Sequence, residues 1–140
     1  MHLGGFKHCI GLDPFMQKTL RYHNGVVIHK QSLQEFRENT QEKFDLIMFH
    51  HSLEHMGDPQ EMFNAAAALL ADRGRILVRV PVADSYAWEH YRESWVQIDA
   101  PRHLYLLTRK SMSILAENSG LKVERVDYDS TKGQFIGSEL

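Results

Sequence analysis

Residues 44–59 read FDLIMFHHSLEHMGDP, and the local pattern changes from strand to helix within them. Residues 44–49 form a nearly continuous apolar run, which is typical of a strand buried on both faces of a parallel sheet. The acid and the proline that close the stretch are an N-cap and a first helical residue. The stretch therefore predicts a strand that leads into a helix over residues 62–71, with Gly74 as the helix cap.

Weaker patterns on both sides continue this alternation of strands and helices. Apolar and β-branched runs predict strands, whereas N-cap residues with a closing glycine predict helices. The predicted strands cover residues 9–12, 26–28, 75–80 and 121–128, and one more begins within residues 134–137. The predicted helices cover residues 14–22, 33–38 and 109–119. We therefore expect one α/β domain over residues 1–140, with a mostly parallel sheet covered by helices on both faces.

Composition excludes several classes of protein. Hydrophobic residues make up 43% and charged residues 24%, as in ordinary globular proteins. Lys and Arg number 16 against 18 Asp and Glu, so no basic field attracts nucleic acid or an anionic membrane. Cys9 has no partner for an intrachain disulfide, and the sequence contains neither a signal peptide nor an apolar run long enough for a membrane span. A reducing cytoplasm is the expected location.

Five blocks along the chain carry a resemblance to a known family. They are GLDP at residues 11–14, FDLI at 44–47, HSLEH at 51–55, GRILV at 74–78 and DAPRHL at 99–104. In order and spacing they resemble the class I S-adenosylmethionine-dependent methyltransferases of the type 11, 12 and 23 group. HSLEH is the most specific block, and the resemblance spans nearly the whole chain. It implies a doubly wound, Rossmann-like, three-layer sheet with the cofactor across the carboxyl ends of its first four strands.

The resemblance also implies which residues bind S-adenosylmethionine. The predicted cofactor contacts are Asp13, Pro14, Phe15, Ser32, Leu33, His50 and His51. Asp13 would accept hydrogen bonds from the ribose hydroxyls, the residues at 15, 32 and 33 would flank the adenine, and the two histidines would meet the methionine part. The structural alternatives are a carboxylate that only caps the next helix, a phenylalanine in the core, a serine with ordinary loop chemistry, and a strand end that is merely polar.

The base and the substrate contacts are expected at the same end of the sheet. His55 and His103 are the predicted catalytic bases, because histidine exchanges protons near neutral pH. Their alternatives are a helix-entry histidine and a loop histidine bonded to the backbone. Arg102, Trp88 and Tyr91, in the aromatic insertion at residues 83–107, are the predicted substrate contacts. The alternative there is a lid that packs on the sheet, which is favoured for the tryptophans. The acceptor would be a small molecule, or a lipid or glycan precursor.

Three competing functions share parts of this pattern. HSLEH also fits H-x-x-E-H, the inverted zinc-protease motif, but that motif requires a helix where the sequence leaves room for one turn at most. We therefore predict no resident metal, although Glu54 with His55 could hold a divalent ion beside a catechol-like oxygen, as in some relatives. The other two alternatives are a NAD-binding oxidoreductase fragment and a noncatalytic interaction module with a decayed methyltransferase fold.

The glycine-rich loop that holds such a cofactor is expected outside this sequence. It precedes the ribose-binding acid by about 20 residues, whereas only twelve residues precede Asp13. The chain is therefore interpreted as a truncated domain, in which Gly4 and Gly5 end the helix after that loop and the C-terminal hairpin is incomplete. We expect weakened cofactor binding, and a homodimer that covers the exposed strands.

Overall fold

A computed structural model describes residues 5–130 and 135–139. The chain divides into two compact units, Met1–Glu42 and Lys43–Leu140, each with its own small sheet. Gly4 and residues 131–134 lie outside the described residues. Two predictions rest partly on them: the helix end at Gly4 and Gly5, and the strand that begins within residues 134–137. Gly5 has a positive φ of 88°, a backbone conformation that suits glycine.

The first unit contains a three-stranded sheet and one helix. Its strands are β1 (Ile10–Leu12), β2 (Leu20–Arg21) and β3 (Val27–His29), in the order β1-β3-β2. β1 runs parallel to β3, in agreement with the mostly parallel sheet predicted from the sequence, and β2 is antiparallel to β3. The helix α1 (Leu33–Glu38) has the predicted bounds, because Ser32 and Glu35 form a capping box at its start.

The helix predicted at residues 14–22 is wrong. An oxygen of Asp13 accepts a hydrogen bond from the Phe15 N–H at 2.9 Å, which closes a tight turn and not a continuing helix. The following residues form β2, and a turn then leads into β3. Gly25, with a φ of 84°, donates its N–H to the Tyr22 carbonyl in that turn. The asparagine–glycine pair interpreted as a helix stop is therefore a hairpin turn.

The second unit is built on the strand–helix–strand segment that the opening motif predicts. β4 (Phe44–His50) and β5 (Leu70–Arg79) are parallel, and α2 (Pro59–Leu69) connects them. Asp58 caps α2 by accepting the Glu61 N–H at 3.0 Å. Gly74, predicted as a helix cap, lies within β5 instead. A Cβ atom at Gly74 would come within 2.7 Å of the Phe44 carbonyl oxygen, so the close approach of the two strands requires glycine.

Two further helices complete the second unit, α3 (Tyr86–Tyr91) and α4 (Arg109–Asn118). α4 confirms the predicted helix, with Thr108 in a capping box at its start and Gly120 at a φ of 71° beyond its end. α4 packs on α2, where Gln60 donates to the Ser119 hydroxyl at 2.8 Å. The core of this unit includes Phe49 and Phe63, whose rings stack with centroids 6.3 Å apart.

The two strands predicted near the C-terminus are wrong. Residues 121–130 have no regular structure, and Phe135 and Ile136 are helical. Val123 and Val126 are three residues apart, which breaks the two-residue alternation of a strand. Val123, Val126 and Tyr128 are 41% to 61% exposed, and none pairs with a strand in the described residues. An apolar pattern alone does not stabilise a strand, because its backbone groups also need a partner.

The chain thus has an α/β fold with a parallel strand pair in each unit. Neither sheet is by itself doubly wound or enclosed in three layers, so the finer prediction of the fold is not met within either unit. No helix in the described part of the chain has the length and apolar character needed to cross a membrane.

Candidate active site

A cluster of Glu54, His55 and His103 lies in the second unit. Each of the three offers one ligand atom, and these atoms lie within 4.8 Å of one another. The local backbone creates the cluster: β4 ends at His50, His51 takes a positive φ of 50°, and a 3-10 turn over Leu53–His55 follows. A positive φ is rare for a residue with a side chain, and strained positions of this kind are frequent at functional sites.

Glu54 is the buried acid of this cluster. Only 1% of its surface is exposed, and neither carboxylate oxygen receives a hydrogen bond from the described residues. Two histidine rings lie near it, with His51 Nδ1 at 3.5 Å and His103 Nε2 at 4.0 Å from Oε1. A buried carboxylate without a hydrogen-bond donor destabilises the fold. We therefore expect the Glu54 carboxylate to bind a cation or a proton.

The two histidines of the cluster are held in one tautomer. His55 Nδ1 lies 2.9 Å from the Arg102 carbonyl oxygen, and His103 Nδ1 lies 2.9 Å from the Gln97 carbonyl oxygen. A carbonyl oxygen only accepts, so each Nδ1 carries a hydrogen and each neutral ring keeps its lone pair on Nε2. The rings meet edge to face with centroids 4.7 Å apart. Backbone bonding, the predicted alternative for His103, thus also orients both rings.

A second carboxylate stands beside the cluster. Asp99 Oδ2 lies 3.8 Å from His103 Nε2, and Asp99 has a positive φ of 43°. Asp99 is not among the predicted site residues, because only the turn geometry brings it to the histidine. Glu54, Asp99 and the two Nε2 lone pairs are all acceptors, so the cluster can take up a proton or hold a cation.

The predicted substrate contacts lie near this cluster in sequence but are engaged elsewhere. The side chain of Arg102 is 75% exposed, and its guanidinium donates to Asp99 Oδ1 at 2.6 Å. Trp88 meets Trp95 edge to face at 6.3 Å, and Trp95 is only 3% exposed. This contact agrees with the interpretation that the tryptophans pack.

Tyr91, the third predicted substrate contact, also has an internal partner. Its hydroxyl donates to Glu139 at 3.2 Å. Burial, followed by this hydrogen bond and the charge of Glu139, raises the pKa of Tyr91 above its ordinary value. The phenol therefore stays protonated and is not a base.

His50 and His51, which are predicted to contact the methionine part of the cofactor, are the last residue of β4 and the residue after it. His50 Nε2 accepts from Arg79 Nη1 at 3.1 Å, and the backbone N–H of His51 donates to the Arg79 carbonyl at 2.8 Å. Arg79 in turn pairs with Asp129 at 2.9 Å. His51 is therefore off any helix, and the single 3-10 turn after it does not provide the two-histidine geometry of the zinc-protease motif.

The remaining predicted cofactor residues lie in the first unit. Asp13 closes its turn, with Pro14 exposed, and Phe15 is 94% exposed, which excludes core packing of this ring. The Ser32 hydroxyl accepts the Glu35 N–H at 3.2 Å, and Leu33 is the first residue of α1. Hydrogen bonds from the Ser32 backbone and hydroxyl lower the pKa of Glu35. Asp13 and Ser32 therefore both make the local hydrogen bonds that the structural alternatives require. These hydrogen bonds leave room for ligand contacts by the same side chains.

Comparison with known proteins gives one match. A family model described as a methyltransferase domain matches residues 2–126, which is most of the chain. No curated protein and no solved structure matches it. The matched range includes Asp13, His55 and His103.

Proposed function

This chain belongs to the methyltransferase-domain family, as a class I S-adenosylmethionine-dependent domain of the type 11, 12 and 23 group, and we propose that it transfers a methyl group to an acceptor hydroxyl. The family implies a Rossmann-like α/β fold and S-adenosylmethionine as the methyl donor. A doubly wound, three-layer sheet is part of the proposal, as is a small-molecule, lipid-precursor or glycan-precursor acceptor. The family match favours this donor over a nicotinamide cofactor.

The observation that carries the proposal is the orientation of His55 and His103 around Glu54. In methyl transfer the acceptor oxygen attacks the methyl carbon, the carbon–sulfur bond breaks, and the sulfur keeps the electron pair as S-adenosylhomocysteine forms. The acceptor proton must leave, and a positioned base increases the rate. His55 is exposed and carries its lone pair on Nε2, so we propose it as the base that meets the acceptor.

The neighbouring groups support this role. The Arg102 carbonyl holds the His55 ring by its Nδ1–H, and the Glu54 carboxylate lies within 4.8 Å of a ring nitrogen. A negative charge in a buried place stabilises the imidazolium that forms when His55 accepts a proton. His103, with 9% of its side chain exposed, contacts the His55 ring and is proposed as the second histidine of the site.

Calorimetric titration with S-adenosylhomocysteine tests the donor site. We expect the chain to bind it, and Asp13→Ala to weaken binding by roughly 10- to 150-fold, because a hydrogen bond to a charged group is worth about 1.5–3 kcal/mol. Asp13→Asn is the matched variant, since it keeps an oxygen for the Phe15 N–H and so preserves the turn. Its binding should also weaken, because one acceptor becomes a donor.

Asp45→Asn removes the same charge from an exposed position on β4 and should leave the affinity unchanged. Circular dichroism of each variant checks that the fold is retained. No binding by the unmodified chain, or equal binding by all four proteins, would contradict the donor site. Absence of binding would favour the noncatalytic interaction module, whereas equal binding would show that Asp13 does not contact the ligand.

A further inference from the structure

We propose that Glu54, His55 and His103 form a binding site for a divalent first-row transition metal ion of the zinc type. One ligand atom from each residue lies within 4.8 Å of the others. In a tetrahedral zinc site with bonds of about 2.0–2.2 Å, neighbouring ligand atoms are about 3.4 Å apart. Side-chain rotation that shortens the longest of these distances by up to about 1.4 Å would close the site, and His55 is exposed.

The buried acid is the first independent reason for a cation. Glu54 is 1% exposed, and both of its oxygens lack a hydrogen-bond donor within the described part of the chain. The ring nitrogens His51 Nδ1 and His103 Nε2 lie 3.5 Å and 4.0 Å from Oε1. The Leu104 N–H donates to the backbone carbonyl of Glu54 at 2.8 Å and not to its side chain. A bound metal ion would satisfy this carboxylate, which no donor from the described residues does.

The second reason is the orientation of the two imidazoles. A metal-binding histidine almost always donates its other ring N–H to a carbonyl or a carboxylate, which fixes the tautomer and turns the lone pair to the metal. His55 and His103 both show this arrangement, with the Arg102 and Gln97 carbonyl oxygens at 2.9 Å. The two rings lie 4.7 Å apart beside a buried acid, and the bond at each Nδ1 leaves Nε2 as the nitrogen available to a metal.

The ligand types select the metal. Two imidazole nitrogens and one carboxylate oxygen match the donor set of catalytic zinc sites, which keep a fourth position for water or substrate. Magnesium and calcium prefer oxygen ligands. Asp99 Oδ1 already binds Arg102, so we do not count Asp99 as a ligand. The fourth position would take water, or an acceptor oxygen if the methyl transfer proposed above occurs here.

A bound metal and a catalytic base would use the same lone pairs, so His55 would not act as a base while the metal is present. Metal binding itself does not depend on the methyl transfer. It can be measured with the metal alone, and it can fail or succeed independently of S-adenosylhomocysteine binding. The two proposals are therefore separable by experiment.

Titration of the metal-stripped, untagged chain with Zn²⁺ and with Co²⁺ tests the inference. Calorimetry should give one tight site per chain, with Zn²⁺ bound more tightly than Co²⁺ and Mg²⁺ not bound. Bound Co²⁺ should show visible absorption bands of a four- or five-coordinate ion. Glu54→Gln and His103→Gln should each weaken Zn²⁺ binding by roughly 100-fold or more, since even loss of a supporting residue costs 10- to 100-fold.

Cys9→Ser and His23→Gln are the matched controls, because each removes another metal-binding side chain from the first unit. Both should bind Zn²⁺ as the unmodified chain does. A zinc-dependent rise in melting temperature that is present in the unmodified chain and absent in Glu54→Gln would support the site even if calorimetry is complicated by aggregation. Absence of Zn²⁺ binding, or binding that survives both cluster variants, would overturn the inference.

Discussion

Replacement of Glu54 by glutamine should stabilise the metal-free protein. The glutamate is 1% exposed and both of its oxygens lack a donor within the described residues. A buried polar group left unsatisfied costs about 1–3 kcal/mol, and more when it is charged. Glutamine keeps the volume, removes the charge, and brings an N–H₂ that can donate to His103 Nε2, now 4.0 Å from Oε1. We therefore expect the free energy of unfolding to rise by about 1–3 kcal/mol.

Thermal unfolding followed by circular dichroism measures this change. For a chain of this length the expected rise in melting temperature is roughly 3–10 °C. Glu89→Gln, at an exposed position on α3, is the control and should change stability by less than about 0.5 kcal/mol. A Glu54→Gln variant that melts at the same or a lower temperature in chelator-treated buffer would refute the reasoning. It would mean that a donor such as an ordered water already satisfies the carboxylate.

Two other substitutions test the packing of the second unit. Gly74→Ala places a Cβ atom 2.7 Å from the Phe44 carbonyl oxygen, so it should lower the free energy of unfolding by about 1–3 kcal/mol in denaturant titration; Gly57→Ala, with nothing within 4 Å, should lower it less. Burial alone would raise the pKa of Asp84, but hydrogen bonds from Arg109 and its charge lower it overall. The pair therefore stabilises the fold above the unfolded value of 3.8, and this contribution disappears as the pH falls through the lower folded value. Because Arg109 is 55% exposed, Asp84→Asn should cost only about 0.5–1 kcal/mol at neutral pH, and unfolding curves of the two proteins should converge in acid.

Elements that depend on neighbouring residues were predictable from sequence. α1 and α4 begin at Ser32 and Thr108, each of which caps its helix through residues three positions later. β4 and α2 likewise follow from a continuous apolar run and an Asp–Pro pair. Such patterns contain their own hydrogen-bond partners, so the local sequence is enough.

Elements that depend on distant partners were not predictable. Asp13 could cap either a helix or a turn, since both need the same carboxylate, and only pairing of β2 with β3 decides for the turn. Residues 121–128 have apolar pairs spaced as in a strand, at 121 and 123 and again at 126 and 128, yet no strand in the described part of the chain pairs with them. In both cases the deciding hydrogen bonds come from residues that the pattern does not include.

The cluster itself was only partly predictable. The resemblance singled out His55 and His103, but their tautomers depend on the carbonyls of Arg102 and Gln97, which no motif identifies. The approach of Asp99 to His103 depends on a left-handed turn, which sequence preferences disfavour for aspartate less than for other residues but do not predict. A motif therefore gives the identity of the residues, whereas the charge balance of the site follows from the fold.

That charge balance is the strongest physical indication of function in this chain. A sequence selected only for stability would favour an apolar or amide side chain over Glu54, because neither carboxylate oxygen has a hydrogen-bond donor in the described residues. A local violation of the rule that buried polar groups are satisfied is expected where a site must bind something. The methyl acceptor proton and a metal ion are both positive charges that would satisfy Glu54. The stability of Glu54→Gln in the absence of either one therefore measures how much the unsatisfied carboxylate destabilises the metal-free fold.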